Sequence, residues 1–263
     1  MSGFSEITIL IILIAFVLEF FDISLGMGYG TTLSPILFIM GFPILDIASA
    51  LLINNVVIGL AAVFFHLEFK NISFRKGSRD LKVTSLISAF GIIAVLISIV
   101  VAVTVPEKYL IIYIGTLVIG VGILTLFKKP KNNNSRISYR RVIGFGILAS
   151  FNKGISGGGY GPVVVSGQII SGINSRTAIA IATISEGFVS VVGATVYILI
   201  KTVPINWSLV ISLLIGSLIA VPLASYTISK IDSQKLRIAV GVASIVLGIA
   251  TLMKLFFLEV NGD

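Results

Sequence analysis

Long apolar runs recur along this chain, roughly at 44–66, 83–105, 109–127, 177–200, 207–228 and 237–257. A helix rises ~1.5 Å per residue, so each run is long enough to cross the ~30 Å hydrocarbon core of a bilayer. Such runs admit few folds, because a backbone in lipid must satisfy its own hydrogen bonds. Composition supports the same reading. Charged residues make up 11% of the chain and hydrophobic ones 56%, against about 25% charged in a soluble domain. The sequence therefore predicts an all-α polytopic membrane protein with the lipid bilayer as its main partner. The first apolar segment has no basic leader and no small-residue cleavage site, so it reads as mature structure.

Several function classes drop out. There is no cysteine and a single histidine, which removes disulfides and thiolate metal sites; no metal or cofactor is expected. No nucleotide fingerprint and no Ser–His arrangement is present, so the chain does not read as an enzyme. Lys and Arg lie in short loops between spans, which argues against nucleic acid as a partner.

Two other apolar regions, 6–41 and 141–172, are broken in the middle by glycines: Gly26-Met27-Gly28-Tyr29-Gly30 and Gly157-Gly158-Gly159-Tyr160-Gly161. About 11 apolar residues follow each break before a turn at Gly41-Phe42-Pro43 or Gly172-Ile173-Asn174, too few to span. Each region reads as a re-entrant hairpin of two half-helices meeting at a glycine tip. At a constant offset of 131, Phe20, Gly26, Gly28, Tyr29, Gly30, Ile39, Gly41 and Ile53 recur as Phe151, Gly157, Gly159, Tyr160, Gly161, Ile170, Gly172 and Ile184. Gly122-Ile123-Leu124-Thr125-Leu126-Phe127-Lys128 likewise resembles Gly248-Ile249-Ala250-Thr251-Leu252-Met253-Lys254.

The chain thus reads as an internal duplication: a first repeat 1–131, a cytoplasmic linker 132–140 and a second repeat 141–263. Each repeat holds one hairpin and three crossing helices, and an odd number of crossings inverts the second repeat relative to the first. The positive-inside rule agrees. With the loop around Arg176 inside, 15 of the 19 Lys and Arg fall in cytoplasmic segments, and both termini are external.

Inverted repeats with broken helices place a substrate site near the midplane. A half-helix that starts inside the membrane offers unpaired N–H groups and the positive end of its dipole, which suit an anion. The second half-helices are expected to begin near Thr31-Thr32 and at Pro162, with the two tips facing each other. The candidate substrate-binding residues are Gly26, Gly28, Tyr29, Gly30, Thr31, Gly157, Gly158, Gly159, Tyr160 and Gly161, together with Lys153. An intramembrane lysine points to function because its insertion costs at least ~2.5 kcal/mol. Its repeat mate is Asp22, and an Asp22–Lys153 pair would hold the hairpins together; alternatively Lys153 takes the anion and Asp22 a coupling role. Glu186, with repeat mate Asn55 and neighbouring Asn54, is expected to line the same cavity. Glu19 is read as lining the outer vestibule, and His66 as a helix-end residue without a site. The GYG sequences match a potassium filter poorly, since Met27 and Gly158 stand where such a loop has valine.

These residues resemble the sulfite exporter TauE/SafE family, also described as sulfonate uptake permeases. The resemblance rests on Phe21-Asp22, Gly26, Gly28, Gly30, Pro35, Gly41 and Asn54 in the first half. In the second half it rests on Ser156-Gly157-Gly158-Gly159-Tyr160-Gly161-Pro162 and Gly172. The chain departs from the commoner family pattern at Met27 and at Asn152-Lys153. The resemblance implies transport of a sulfur oxyanion or organosulfonate. Together with the repeats, the chain reads as a secondary transporter working by alternating access in a prokaryotic inner membrane, with a proton or sodium ion as candidate coupling ion. An anion channel using the same tips is the alternative.

Overall fold

The structure is a computed structural model that describes residues 2–26, 29–127, 137–200, 205–227 and 233–260. All regular structure among them is helical. The helices are α1 (Ser2–Leu25), α2 (Tyr29–Ile39), α3 (Ile44–Glu68), α4 (Arg79–Thr104), α5 (Glu107–Phe127), α6 (Tyr139–Ser156), α7 (Tyr160–Ile170), α8 (Ser175–Leu199), α9 (Trp207–Thr227) and α10 (Ser233–Val260). The predicted linker lies mostly outside the described residues, as do Gly28 and Met27.

Among the described residues six helices are long and apolar enough to cross a membrane. They present large apolar side chains outward, such as Leu60, Phe64, Ile93, Val100 and Ile219. Water would not tolerate so extensive an apolar surface, whereas lipid tails require it. Polar residues take the reverse placement: Asp22, Asn54, Asn55, Lys153 and Glu186 are all buried inside the bundle. The chain is a multi-pass membrane protein.

One expectation needs correction. The spanning set includes Glu6–Ser24 of α1, where the sequence predicts one arm of a hairpin. At 24 residues α1 is about 36 Å long, so the arm before the first glycine break is itself of spanning length. The arms after the breaks are short as expected, with α2 and α7 at 11 residues each. Helix α10 (Ser233–Val260, 28 residues) covers the predicted last span, 237–257.

Helix ends follow local chemistry. Ser78 accepts from Leu81 N and Asn174 from Thr177 N, so α4 and α8 begin at capping side chains. Helices α2 and α7 end alike. Phe42 N bonds Leu37 O and Gly41 N bonds Phe38 O; Ile173 N bonds Gln168 O and Gly172 N bonds Ile169 O. Both are Schellman closures, which need a left-handed residue after the helix. Gly41 at φ 101° and Gly172 at φ 96° supply it.

Packing pairs α1 with α9 and α4 with α6, α3 with α8, and α5 with α10. Glycines set the closest crossings. A Cβ on Gly187 would meet Gly59 Cα at 2.6 Å, so α3 and α8 touch backbone to backbone. Gly115 lies against Gly248 and Gly122 against Gly241, which makes α5 and α10 antiparallel. Arg176, at the start of α8, donates to Phe69 O beyond the end of α3, so these two helices are antiparallel as well.

Candidate functional site

The glycine breaks meet at the centre of the bundle. Gly26 and Gly157 adopt matching left-handed conformations, φ 69° and 68°. This turns the chain from α1 into α2 and from α6 into α7. The breaks then pack against each other. A Cβ on Gly30 would lie 2.7 Å from Gly158 Cα and 2.8 Å from Gly157 O, and one on Gly161 would lie 2.8 Å from Gly26 O. No side chain fits these positions, because their neighbours are backbone. The structure therefore brings Gly26, Tyr29, Gly30, Gly157, Gly158 and Gly161 together. Gly159 packs beside Leu117, Thr31 is buried in the first turn of α2, and Gly28 lies outside the described residues.

The short helices start earlier than the sequence suggests, at Tyr29 and Tyr160. Pro162 is then the third residue of α7, still within the turn whose N–H groups lack intrahelical partners. The two starts differ chemically. Asp22 Oδ1 accepts from Tyr29 N at 3.2 Å, so a carboxylate already sits on the N-terminus of α2. The N-terminus of α7 follows Gly159, which makes no side-chain cap.

Lys153 is fully buried, with 0% exposure. The Asp22–Lys153 pair, one of the two alternatives, is not what forms. Lys153 Nζ bonds Glu186 Oε1 at 2.6 Å, and Asn55 Nδ2 donates to the same oxygen at 3.1 Å. Removal of two charges from water is costly unless they are paired and hydrogen-bonded, and this triad meets that condition. Asn55 and Glu186, which stand 131 residues apart in the sequence, are thus in direct contact.

Two tyrosine clusters flank the triad. The Tyr29 hydroxyl lies 3.0 Å from Asn54 Nδ2 and 3.0 Å from Ser217 Oγ. The Tyr160 hydroxyl donates to Ser185 Oγ at 3.0 Å. Asn54 and Ser185 stand 131 residues apart, as do the two tyrosines. Sequence reasoning missed Ser185 and Ser217, since serine is common in membrane helices. The 131-residue offset held the signal for Ser185; nothing marked Ser217.

One further residue differs from expectation. Glu19 is 2% exposed rather than vestibular. It sits among Asp22, Glu186, Lys153 and Ser217. His66 bonds Asn71, which in turn accepts from Arg176 at 2.6 Å, fastening the end of α3 to the start of α8. Among the described residues, no group of three or more His, Asp or Glu side chains could hold a metal ion.

A lipid-exposed helical bundle that buries carboxylates, an ammonium and helix ends at its centre is built as a membrane transporter. The family model for "Sulfite exporter TauE/SafE" matches residues 11–251, and the chain belongs to that family. A curated relative, the "Probable membrane transporter protein YtnM" of Bacillus subtilis (strain 168), is 29% identical over 241 residues. That alignment covers 89% of this chain and 79% of the relative. No solved structure matches significantly.

Proposed function

We propose that this protein is a secondary transporter for a small anion, a sulfur oxyanion or organosulfonate, in a prokaryotic inner membrane with both termini outside. Residues 1–131 and 141–263 act as inverted repeats joined by 132–140, and α1–α2 and α6–α7 serve as glycine-tipped hairpins between which the anion binds. The observation that carries this reading is the fully buried Lys153 beside the abutting tips. Family membership supports transport of a sulfite-like substrate, and the antiparallel α3–α8 and α5–α10 pairs support inversion.

The two tips are not equivalent in this scheme. Asp22 bonds the start of α2 and its Oδ1 also borders Gly161, so the anion is received at the start of α7 by the N–H of Tyr160, with Gly157, Gly158, Gly159 and Gly161 close by. Gly26, Gly28, Gly30 and Thr31 form the opposing wall. Lys153 supplies the compensating charge, with Glu186 as its resting counter-ion. Asn54 and Asn55 hold the cavity wall, and one repeat rocks against the other to alternate access.

The test is a thermal-shift panel on purified protein with sulfite, sulfate, thiosulfate, sulfoacetate, taurine, carboxylates and potassium, followed by counterflow in proteoliposomes. Stabilisation by one sulfur oxyanion or sulfonate is expected, with uptake that saturates and is stimulated by internal substrate. Flux without counterflow would convert the carrier into a channel. A response confined to potassium would overturn the anion reading.

A further inference from the structure

Three buried carboxylates, Glu19, Asp22 and Glu186, share the centre of the bundle with one ammonium, Lys153. Glu186 is held by Lys153 and Asn55. Asp22 is held by the amide and helix end at Tyr29. Among the described residues Glu19 forms no ion pair of its own; it receives a hydrogen bond from Ser217 and feels only the ammonium of Lys153, which Glu186 already pairs. Its Oε2 is buried and makes no hydrogen bond.

The groups that face Glu19 are Asp22 on its own helix, Tyr29 from α2, Lys153 from α6, Glu186 from α8 and Ser217 from α9. Two of these are themselves acids, so an ionised Glu19 meets repulsion as well as desolvation. Packing does not demand a carboxylate there. The repeat mate of Glu19 is Ser150, fully buried in the corresponding place beside Tyr160. A fold that accepts serine at one of two equivalent positions has another reason for glutamate at the other.

We infer that Glu19 is a proton-binding site and that the substrate anion binds together with a proton on this carboxylate. With all three acids ionised the centre carries two negative charges in excess of Lys153, and an incoming anion adds to them. A proton on Glu19 removes one of these charges and turns the orphaned oxygen into a donor. Anion and proton therefore favour each other's binding, and by linkage the coupling is reciprocal. This inference rests on the anion site proposed above and names the coupling ion and the group that carries it.

The test measures affinity of purified full-length protein for a stabilising panel anion whose charge is constant across the range (sulfate, thiosulfate or sulfoacetate, since sulfite itself takes up a proton there), across pH 5.5–8.5 in sodium-free buffer. Calorimetry in two buffers of different ionisation enthalpy counts the protons taken up on binding. Kd is expected to rise with pH, approaching about tenfold per pH unit for one coupled proton, with close to one proton absorbed per anion. Glu19→Gln, a neutral mimic of the protonated acid, should bind with the low-pH affinity of the parent and lose the proton uptake. If Glu19→Gln does not fold, the proton count on the unmodified protein decides.

Anion binding without proton uptake would overturn the inference while leaving the anion site intact. Tightening by sodium at fixed pH, without proton uptake, would overturn it in favour of a metal cation. Loss of proton uptake in Asp22→Asn but not in Glu19→Gln would move the role to Asp22 and overturn the assignment. Absence of anion binding at every pH would overturn both the function and the inference.

Discussion

At the residue scale, the centre of the molecule is governed by what a buried charge requires. Lys153 lies within 2.6 Å of Glu186, and Asn55 donates to the same carboxylate oxygen. Truncation of the lysine leaves Glu186 without its counter-ion in an apolar interior, a loss of about 3–5 kcal/mol in comparable buried pairs. Lys153→Met should therefore lower the thermal unfolding midpoint strongly. Lys153→Met combined with Glu186→Gln should recover most of that loss, because no unpaired charge remains. Scanning fluorimetry on the single and double variants checks this; a double variant no more stable than the single one would show that the pair does not hold the centre. Both residues stood out in the sequence as intramembrane charges, yet their partnership did not. The 131-residue offset offered Asp22 as a partner for Lys153, but residues so related need not touch; Asn55 and Glu186 do, whereas Lys153 meets Glu186. Side-chain reach across α6 and α8 has no sequence periodicity to reveal it.

At the element scale, two uses of glycine separate. Gly41 closes α2 at φ 101° with open space where a Cβ would stand, so its role is conformational. Gly158 faces the backbone of Gly30 and Thr31, so its role is to let two helix breaks touch. Gly41→Ala should cost about 1–2 kcal/mol through its unfavourable backbone angle and still yield folded protein. Gly158→Ala must push apart two backbones that have no side chain to yield, and should abolish a monodisperse bundle in size-exclusion chromatography. Similar behaviour of the two variants would defeat the tip-to-tip packing. The short helices α2 and α7 were legible because glycine breaks and glycine turns bracket them at fixed spacing. The full length of α1 was not, because the glycine break lies within one continuous apolar region, 6–41, and makes its first arm read as half of a hairpin. The helix starts were displaced for a similar reason: Pro162 marks a first turn, but tolerance of proline extends over that turn rather than to one position.

At the scale of the whole molecule, sidedness follows from how the halves are joined. Helices α3 and α8, which carry equivalent positions of the duplicated sequence, run antiparallel where they cross, as do α5 and α10. Equivalent positions in the two halves should then open to opposite faces of the membrane. Lys76, before α4, should be cytoplasmic; its structural counterpart, the entry to α9 at Trp207, should be external, on the same face as Lys108 at the start of α5. Each of these three side chains is exposed, and the chain contains no cysteine, so single-cysteine variants report without background. In intact cells a membrane-impermeant maleimide should label Lys108→Cys and Trp207→Cys within minutes and leave Lys76→Cys untouched until the membrane is permeabilised. Labelling of Lys76→Cys and Trp207→Cys from the same face would mean that the halves are parallel, and alternating access by exchange of two inverted halves would fail with it. Labelling of Lys76→Cys alone from outside would keep the inversion and reverse the orientation, contrary to the basic loops that place this segment inside.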